Sequence, residues 1–510
     1  MSLYHLILNA VVLLCIVGTS GQNVNTLNNI NASPVAADEN NPNYWIQQAQ
    51  FTLRSKLAPL NTRVAKNVIF FVGDGMSITT LAATRAYLGQ KYGLTGEEVT
   101  LSFETFPFTG LAKTYCVNEN VADSACSGTA YLSGVKNNVG TLGVSAAVAH
   151  RDCYAQLNRN NTFTGIMDWA QKAGKATGLV TNMRVTHATP AAAYANSANR
   201  HWEADLDQPE DALRCDDIAK QLVRGEVGSK INVILGGGRG NFFSKHERDA
   251  EDERGHREDG VDLIREWIFR KERMGGKPTY VYKRNDLLMI NEKDYDNVLG
   301  LFTRSHMPNN YDTPRDKPSL SEMTQKAIQI LSQNRNGYFL FVEGGRIDLA
   351  HHASRAHIAL DETAELARAV EAAMRMVNLE ETLIVVTADH SHTMTYSGHS
   401  RRGADILGVA DLKHATDHLR FTILSYANGP GFKPTSHDHR HNLKYDDIGD
   451  MKYRYPSMVP THRELHAGDD VAVFAKGPWA HLFSGNYEQN YIPHAIAYAA
   501  CMGPGLTICK

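Results

Sequence analysis

Charge of one sign is what this sequence lacks most plainly. Its 52 Lys and Arg stand against 55 Asp and Glu over 510 residues, a formal net charge of −3. That balance gives no electrostatic reason to bind nucleic acid or an anionic membrane surface. A nucleotide phosphate loop is also missing. The glycine triplet in I-N-V-I-L-G-G-G-R (231–239) matches neither G-x-x-x-x-G-K-[ST] nor G-x-G-x-x-G, and reads as a tight turn after a strand. No internal repeat is visible. Past the first 21 residues no hydrophobic run is long enough to span a bilayer, so no transmembrane helix is expected. Residues 1–21 hold a short apolar core ending in small residues and read as a signal peptide. The end, C-M-G-P-G-L-T-I-C-K, has no apolar tail of the kind a lipid-anchor signal requires. The expectation is a secreted chain, or one lipid-anchored at the cell surface if the true C-terminus is longer.

Cysteine is scarce but even in number once the signal is set aside. Cys15 lies in the signal, which leaves Cys116, Cys126, Cys153, Cys215, Cys501 and Cys509. An even set in a secreted chain favours disulfides, and spacing alone does not fix the pairs. Sequons at Asn31 and Asn160 mark glycosylation sites in the same compartment.

What the chain does have is histidine, 22 of them, and a repeated pattern of buried strand followed by acid or imidazole. N-V-I-F-F-V-G-D-G-M-S (67–77) is an apolar, β-rich run that delivers Asp74 at its carboxyl end. K-A-T-G-L-V-T-N-M-R-V-T-H-A-T-P (175–190) leads to His187 and Thr189, with Arg200 following. G-Y-F-L-F-V-E-G-G-R-I-D-L-A-H-H (337–352) ends a strand at Glu343. It then spaces Asp348 and His352 four apart, on one face of a helix start. E-T-L-I-V-V-T-A-D-H-S-H (381–392) delivers Asp389, His390 and His392, and His466 stands just before another strand at 465–477. In open α/β sheets ligands sit at the carboxyl ends of strands, where these groups would gather. Taken one at a time, each is also explained as a turn acid or a structural histidine.

Asp123 and Ser124 precede a small-residue run that can open a helix. A serine there meets the positive end of the helix dipole and free backbone N–H groups, a good place for a nucleophile or a phosphate ester. An N-cap serine without chemistry is the plainer reading of D-S-A by itself. Around these motifs, 22–42 reads as a loose arm and 43–57 as an amphipathic helix. Residues 244–259 read as an exposed insertion followed by a helix, and 318–331 as a proline-first helix. Residues 398–462, including H-D-H-R-H, read as an inserted surface subdomain with solvated histidines. Strands alternating with helices predict one large three-layer α/β domain, 43–397 plus 463–510, around a mostly parallel sheet.

Six of these stretches, N-V-I-F-F-V-G-D-G-M, A-D-S-A, T-H-A-T-P-A, V-E-G-G-R-I-D, T-A-D-H-S-H and H-A-G-D-D-V-A-V-F-A, together resemble the animal alkaline phosphatases. The resemblance implies hydrolysis of small phosphate monoesters with two Zn2+ and one Mg2+. It places Asp348, His352 and His466 on the first zinc, and Asp74, Asp389 and His390 on the second. Asp74, Thr189 and Glu343 would hold magnesium. Ser124 would be the nucleophile, Arg200 the phosphate grip and Asp123 its orienting partner, with His187 and His392 behind the ligands. It also implies pairs Cys153–Cys215 and Cys501–Cys509, with no counterpart for Cys116 and Cys126, and a homodimer embraced by the helix at 43–57. The chain departs from the resemblance in three places. Leu349 stands where the vertebrate enzymes have histidine. Thr303 and Lys317 stand where they have two acidic calcium ligands, so calcium is not implied. A phosphodiesterase or sulfatase of the same superfamily, or an inactive binding protein, are the competing readings.

Overall fold

Four runs buried along nearly their whole length lie side by side at the centre of the molecule, and three of them are almost wholly apolar, as suits strands covered on both faces. In this computed structural model they are Asn67–Gly73, Ala176–Arg184, Tyr338–Gly344 and Thr382–Ala388. The structure describes residues 60–410, 415–434 and 440–509, together with positions 46, 47 and 50, which are helical. The signal at 1–21, the arm at 22–42 with Asn31, most of the 43–57 helix and most of H-D-H-R-H lie outside the described residues.

The strands in chain order are β1 (Asn67–Gly73), β2 (Phe108–Lys113), β3 (Ala176–Arg184), β4 (Val233–Gly237), β5 (Pro278–Val281), β6 (Asn297–Leu301), β7 (Tyr338–Gly344), β8 (Thr382–Ala388), β9 (Ser391–His392), β10 (Met394–Tyr396), β11 (Leu424–Gly429), β12 (Ser457–Pro460), β13 (His466–Ala467), β14 (Val471–Lys476) and β15 (Gly485–Glu488). Ten of them form one sheet in the order β15-β2-β14-β8-β1-β7-β3-β4-β6-β5. All run parallel save β14, which opposes both β2 and β8. Gly73 of β1 pairs with Gly344 of β7 and Ala388 of β8, so these neighbours end level.

Helices α1 (Ile78–Lys91), α2 (Ser124–Ser133), α3 (Leu320–Leu331), α4 (Arg346–His352), α5 (Ala356–Met376) and α6 (Tyr491–Ala500) cover and edge this sheet. The two layers can be told apart along β1 alone. Phe70 packs its ring against Tyr131 of α2. A side chain at Gly73 would meet Leu366 of α5. An odd separation on a strand places two residues on opposite faces, so α2 and α5 lie on opposite sides and the architecture is a three-layer sandwich. Ser319 and Glu322 form a capping box at the start of α3. The helix therefore opens on serine, with Pro318 ahead of the cap rather than inside the first turn.

Residues 394–460 carry a separate sheet, β10-β11-β12. Its Met394, Leu424, Tyr426 and Tyr455 share an apolar cluster with Ala83 and Tyr87 of α1 and Leu360 of α5. The charged stretch 244–259 is not purely exposed. Arg257 is fully buried, held by Asp217 at 2.8 Å and Asp259 at 2.7 Å. A buried guanidinium needs such partners; Asp259 lies within the stretch itself, but Asp217 caps a helix 40 residues earlier, which a local reading of charge does not see.

The six cysteines past the signal form three disulfides: Cys116–Cys126, Cys153–Cys215 and Cys501–Cys509. Asn160 is exposed. Among the described residues, no helix is long and apolar enough to cross a membrane.

Candidate active site

The level ends of β1, β7 and β8 put Asp74, Glu343 and Asp389 into one buried cluster, all fully inaccessible. The turn after β1 explains the glycine that follows the acid. Gly75 has a φ of +71°, and a Cβ there would stand 2.4 Å from the His392 ring. Its N–H donates to Asp389 Oδ1 at 2.9 Å. Asp389 Oδ1 also accepts the His390 N–H at 2.8 Å. Thr189, on the short helix Ala188–Ala191 after β3, stands 3.4 Å from Asp74 Oδ2.

A second group is assembled from α4, β9 and β13. α4 starts where the Gly345 and Arg346 N–H groups donate to Asn182 Oδ1. That helix sets Asp348 one turn before His352, as the four-residue spacing predicts. β9 and β13 pair so that His392 lies opposite His466. His352 Nδ1 donates to the Glu464 carbonyl at 2.5 Å, and His466 Nδ1 donates to the Ala122 carbonyl at 2.8 Å. Carbonyls only accept, so both protons sit on Nδ1 and both Nε2 atoms are bare. Those Nε2 atoms face each other at 3.2 Å and Asp348 Oδ1 at 3.4 and 3.3 Å.

Two bare imidazole nitrogens and a carboxylate oxygen turned toward one another fit a cation. The first cluster supports the same reading. Asp74 Oδ1, Glu343 Oε1, Asp389 Oδ2 and His390 Nδ1 are buried without hydrogen-bond partners. Burial, with repulsion from the other acids, raises the carboxyls of Asp74 and Asp389 and brings Glu343 up to about 8. Buried acids that raise one another in this way are stabilised as anions by a metal ion. The donor sets Asp348–His390–His392–His466, Asp74–Asp389–His390 and Asp74–His187–Glu343 each have the spacing of a metal site.

His392 is different from the other imidazoles. Burial alone would make it neutral, but Glu464 and Asp348 on either side outweigh that and hold it protonated up to about 10. It donates through Nε2 to Asp348 Oδ1 at 2.7 Å and through Nδ1 to Glu464. Burial would raise Asp348 as well, yet His352, His392 and His466 keep its carboxyl well below the usual range.

Ser124 opens α2, whose N-cap is Asp123. The serine is 1% exposed, and its hydroxyl lies 3.3 Å from His390 Nε2 and 3.5 Å from Asp74 Oδ2. Arg200 donates to Asp123 Oδ2 at 2.9 Å, both side chains being 15% exposed. Burial opposes both charges, but the pair outweighs it, lowering the Asp123 carboxyl and raising Arg200. Asp123 is held in turn by the N–H groups of Cys126 and Gly140, each at 3.1 Å. His187 Nε2 lies 3.4 Å from an Arg200 nitrogen. Leu349 is half-buried on α4 and has no polar atom to offer.

The structure therefore brings together the candidate catalytic and metal-ligating side chains picked out from the sequence. It adds Glu464, Thr181, which donates to Glu343 Oε2 at 2.5 Å, and the Ala122 carbonyl. Glu464 sits two residues before His466, a spacing that places both on one face of an extended segment. Thr181 interrupts an apolar strand. Both signals were present in the sequence, and each looks ordinary without its partner.

Comparison with known proteins agrees with this geometry. A membrane-bound alkaline phosphatase of Bombyx mori is 46% identical over 488 residues, covering 94% of this chain and 88% of its own length. The tissue-nonspecific alkaline phosphatase of Gallus gallus is 48% identical over 489 residues, covering 94% of this chain and 93% of its own. The alkaline phosphatase of Thermus thermophilus shares the fold, with a TM-score of 0.61 at 23% identity over 90% of this chain and 95% of that one. The alkaline phosphatase family model matches residues 65–502. That stretch begins just before β1, ends just past α6 and takes in every side chain of the site, so the chain belongs to the alkaline phosphatase family.

Proposed function

We propose that this chain hydrolyses small phosphate monoesters through a phosphoserine on Ser124, with two zinc ions and one magnesium ion in the site. The observation that carries the reading is the place of Ser124. Its hydroxyl opens a helix, within 3.5 Å of Asp74 and His390, and the residue before it is the carboxylate that anchors Arg200. Asp348, His352 and His466 would hold one zinc, and Asp74, Asp389 and His390 the other. Asp74, Thr189 and Glu343 would hold magnesium, an all-oxygen set suited to a hard cation. When bound, these cations lower the pKa of hydroxyl and water and neutralise charge building on oxygen.

The chain's own groups do the rest. The Arg200 guanidinium grips two phosphate oxygens with its planar fork, and Asp123 keeps that fork turned inward. Ser124 Oγ gives up its proton and attacks phosphorus in line as the alcohol leaves with a proton. Water then attacks the phosphoserine from the same side that the alcohol left, returning the serine hydroxyl and releasing phosphate. Two in-line displacements retain configuration at phosphorus. The Ala122 and Glu464 carbonyls hold His466 and His352 in the tautomer that turns Nε2 inward.

Three disulfides support an oxidising, extracellular compartment. A homodimer is part of the same proposal. Exposed Met458 and Val459 on the edge strand β12, and Leu465 nearby, offer apolar surface for a second copy. The test of the reaction is to quench turnover of a labelled phosphate ester at low pH and map the label. The reading expects phosphate on Ser124 and none in Ser124→Ala; label on a different residue means that the nucleophile is elsewhere.

A further inference from the structure

Cys116 and Cys126 close a ring around the residues that the proposed reaction uses. β2 ends at Lys113, α2 begins at Ser124, and residues 116–123 between them form neither helix nor strand. Val117, Asn118, Glu119 and Asn120 are exposed, so no core side chain fixes the outer half of this loop. Its other ties are few. The Val117 N–H donates to the Asn137 carbonyl at 2.9 Å, and Asn118 Oδ1 accepts the Val139 N–H at 2.9 Å. The inner half then supplies three consecutive functional groups. Ala122 gives the carbonyl that orients His466, Asp123 the carboxylate that anchors Arg200, and Ser124 the nucleophile.

The bond from Cys126, in the first turn of α2, back to Cys116 spans all three. Cys116, Ala122 and Cys126 make a small apolar cluster of their own, separate from the main core, with Val139 packed against it. The Cys126 N–H also donates to Asp123 Oδ1, so the disulfide's own residue touches the arginine anchor. An exposed loop with no regular structure would otherwise sample many conformations.

We propose that the Cys116–Cys126 disulfide is a positioning device for the phosphate grip. It fixes the course of 116–123 so that Asp123 holds Arg200 and the Ala122 carbonyl holds His466. This rests on the phosphatase reading above. Opening the bond frees the loop, and the first loss is in phosphate binding. A phosphine opens it with a balanced step: the S–S bond becomes two thiols, water supplies the oxygen and protons, and the phosphine becomes its oxide.

The experiment compares the secreted holoenzyme with Cys116→Ala/Cys126→Ala and with Cys153→Ala/Cys215→Ala as a remote control. The readouts are KM for p-nitrophenyl phosphate, Ki for inorganic phosphate and zinc content. KM and Ki should rise together, roughly tenfold, the scale of one hydrogen bond to a charged group, in the first variant and in neither case in the control. In an Arg200→Ala background, removing the same disulfide should raise Ki clearly less than it does in the parent, because the part of its effect that runs through the Asp123–Arg200 contact is already lost. If KM and Ki overlay the parent while only the melting temperature falls, the bond is a staple and the proposal is wrong. Should the variant fail to fold, the parent is opened with the phosphine and the reduced pairs are mapped by mass spectrometry. Molecules opened at 116–126 that keep the parental Ki overturn the proposal equally. A parent that neither turns over the ester nor binds phosphate would instead strike at the proposed function beneath it.

Discussion

Glu464 is the residue whose part in the site is least visible beforehand and most open to test. It is fully buried, and its side chain meets His392 Nδ1 and the N–H and hydroxyl of Thr393. The same residue's carbonyl sets the tautomer of His352. Through His392 the Glu464 carboxylate reaches Asp348, so a carboxylate–imidazolium–carboxylate chain stands behind one proposed zinc ligand. Glu464→Gln keeps the shape and removes the charge. It should lower zinc affinity by about 10- to 100-fold, the usual cost of losing an outer partner of a metal ligand. Zinc titration of the stripped protein checks this, and an unchanged affinity would show that Asp348 needs no such support. In the sequence, the R-E-L-H-A context makes Glu464 one acid among 55 Asp and Glu. Only the pairing of β9 with β13 brings it under His392. Asp74, Glu343 and Asp389 were legible because an acid ending an apolar run is itself a local pattern.

At the scale of elements, the same difference separates what could be read from what could not. Strands β1, β7 and β8 are buried on both faces, and each announces itself as a nearly continuous apolar run. The segment 244–259 does not, because its burial depends on partners far along the chain. Arg239, 2% exposed, joins β4 to Asp249 and Glu251. Lys317, whose side chain is 10% exposed, adds its ammonium to Glu251 at 2.5 Å. Thr303 donates to the Ser305 carbonyl at 2.8 Å. A lysine and an arginine thus share one carboxylate and tie the loop to the approach of α3. Lys317→Ala should cost about 1–2 kcal/mol by leaving Glu251 with one partner fewer. Thermal melts read that loss, and calcium chelation should leave the parent's melting temperature unchanged. A melt of Lys317→Ala overlaying the parent would show that Arg239 alone holds the loop.

The whole molecule should also respond to pH through a lysine far from the site. Lys271, on the helix Leu263–Arg273, is 3% exposed and donates to the Ile231 carbonyl at 2.7 Å. Burial brings its pKa down from 10.5 to about 7 in the folded chain. The unfolded chain then binds the extra proton between these two values, so stability from this group is full above about 10.5 and declines as pH falls to about 7. Lys271→Met removes the titrating group. The melting temperature of the variant relative to the parent should therefore rise as pH is lowered through that window. A constant difference from pH 10 to pH 7 would mean that Lys271 keeps its charge in the fold.

The central claim is that segments as distant as β1 and β13 converge on one metal-dependent site. The most direct test is to strip the metal with a chelator and follow metal content, p-nitrophenyl phosphate turnover and melting temperature together, then add zinc and magnesium back. The account predicts that turnover and melting temperature fall with the metal and return with it, because the ions bind only the folded clusters. It also predicts that Asp348→Ala and His466→Ala take up less zinc than the parent. Full turnover by protein shown to hold no metal, or undiminished zinc in both variants, would contradict it.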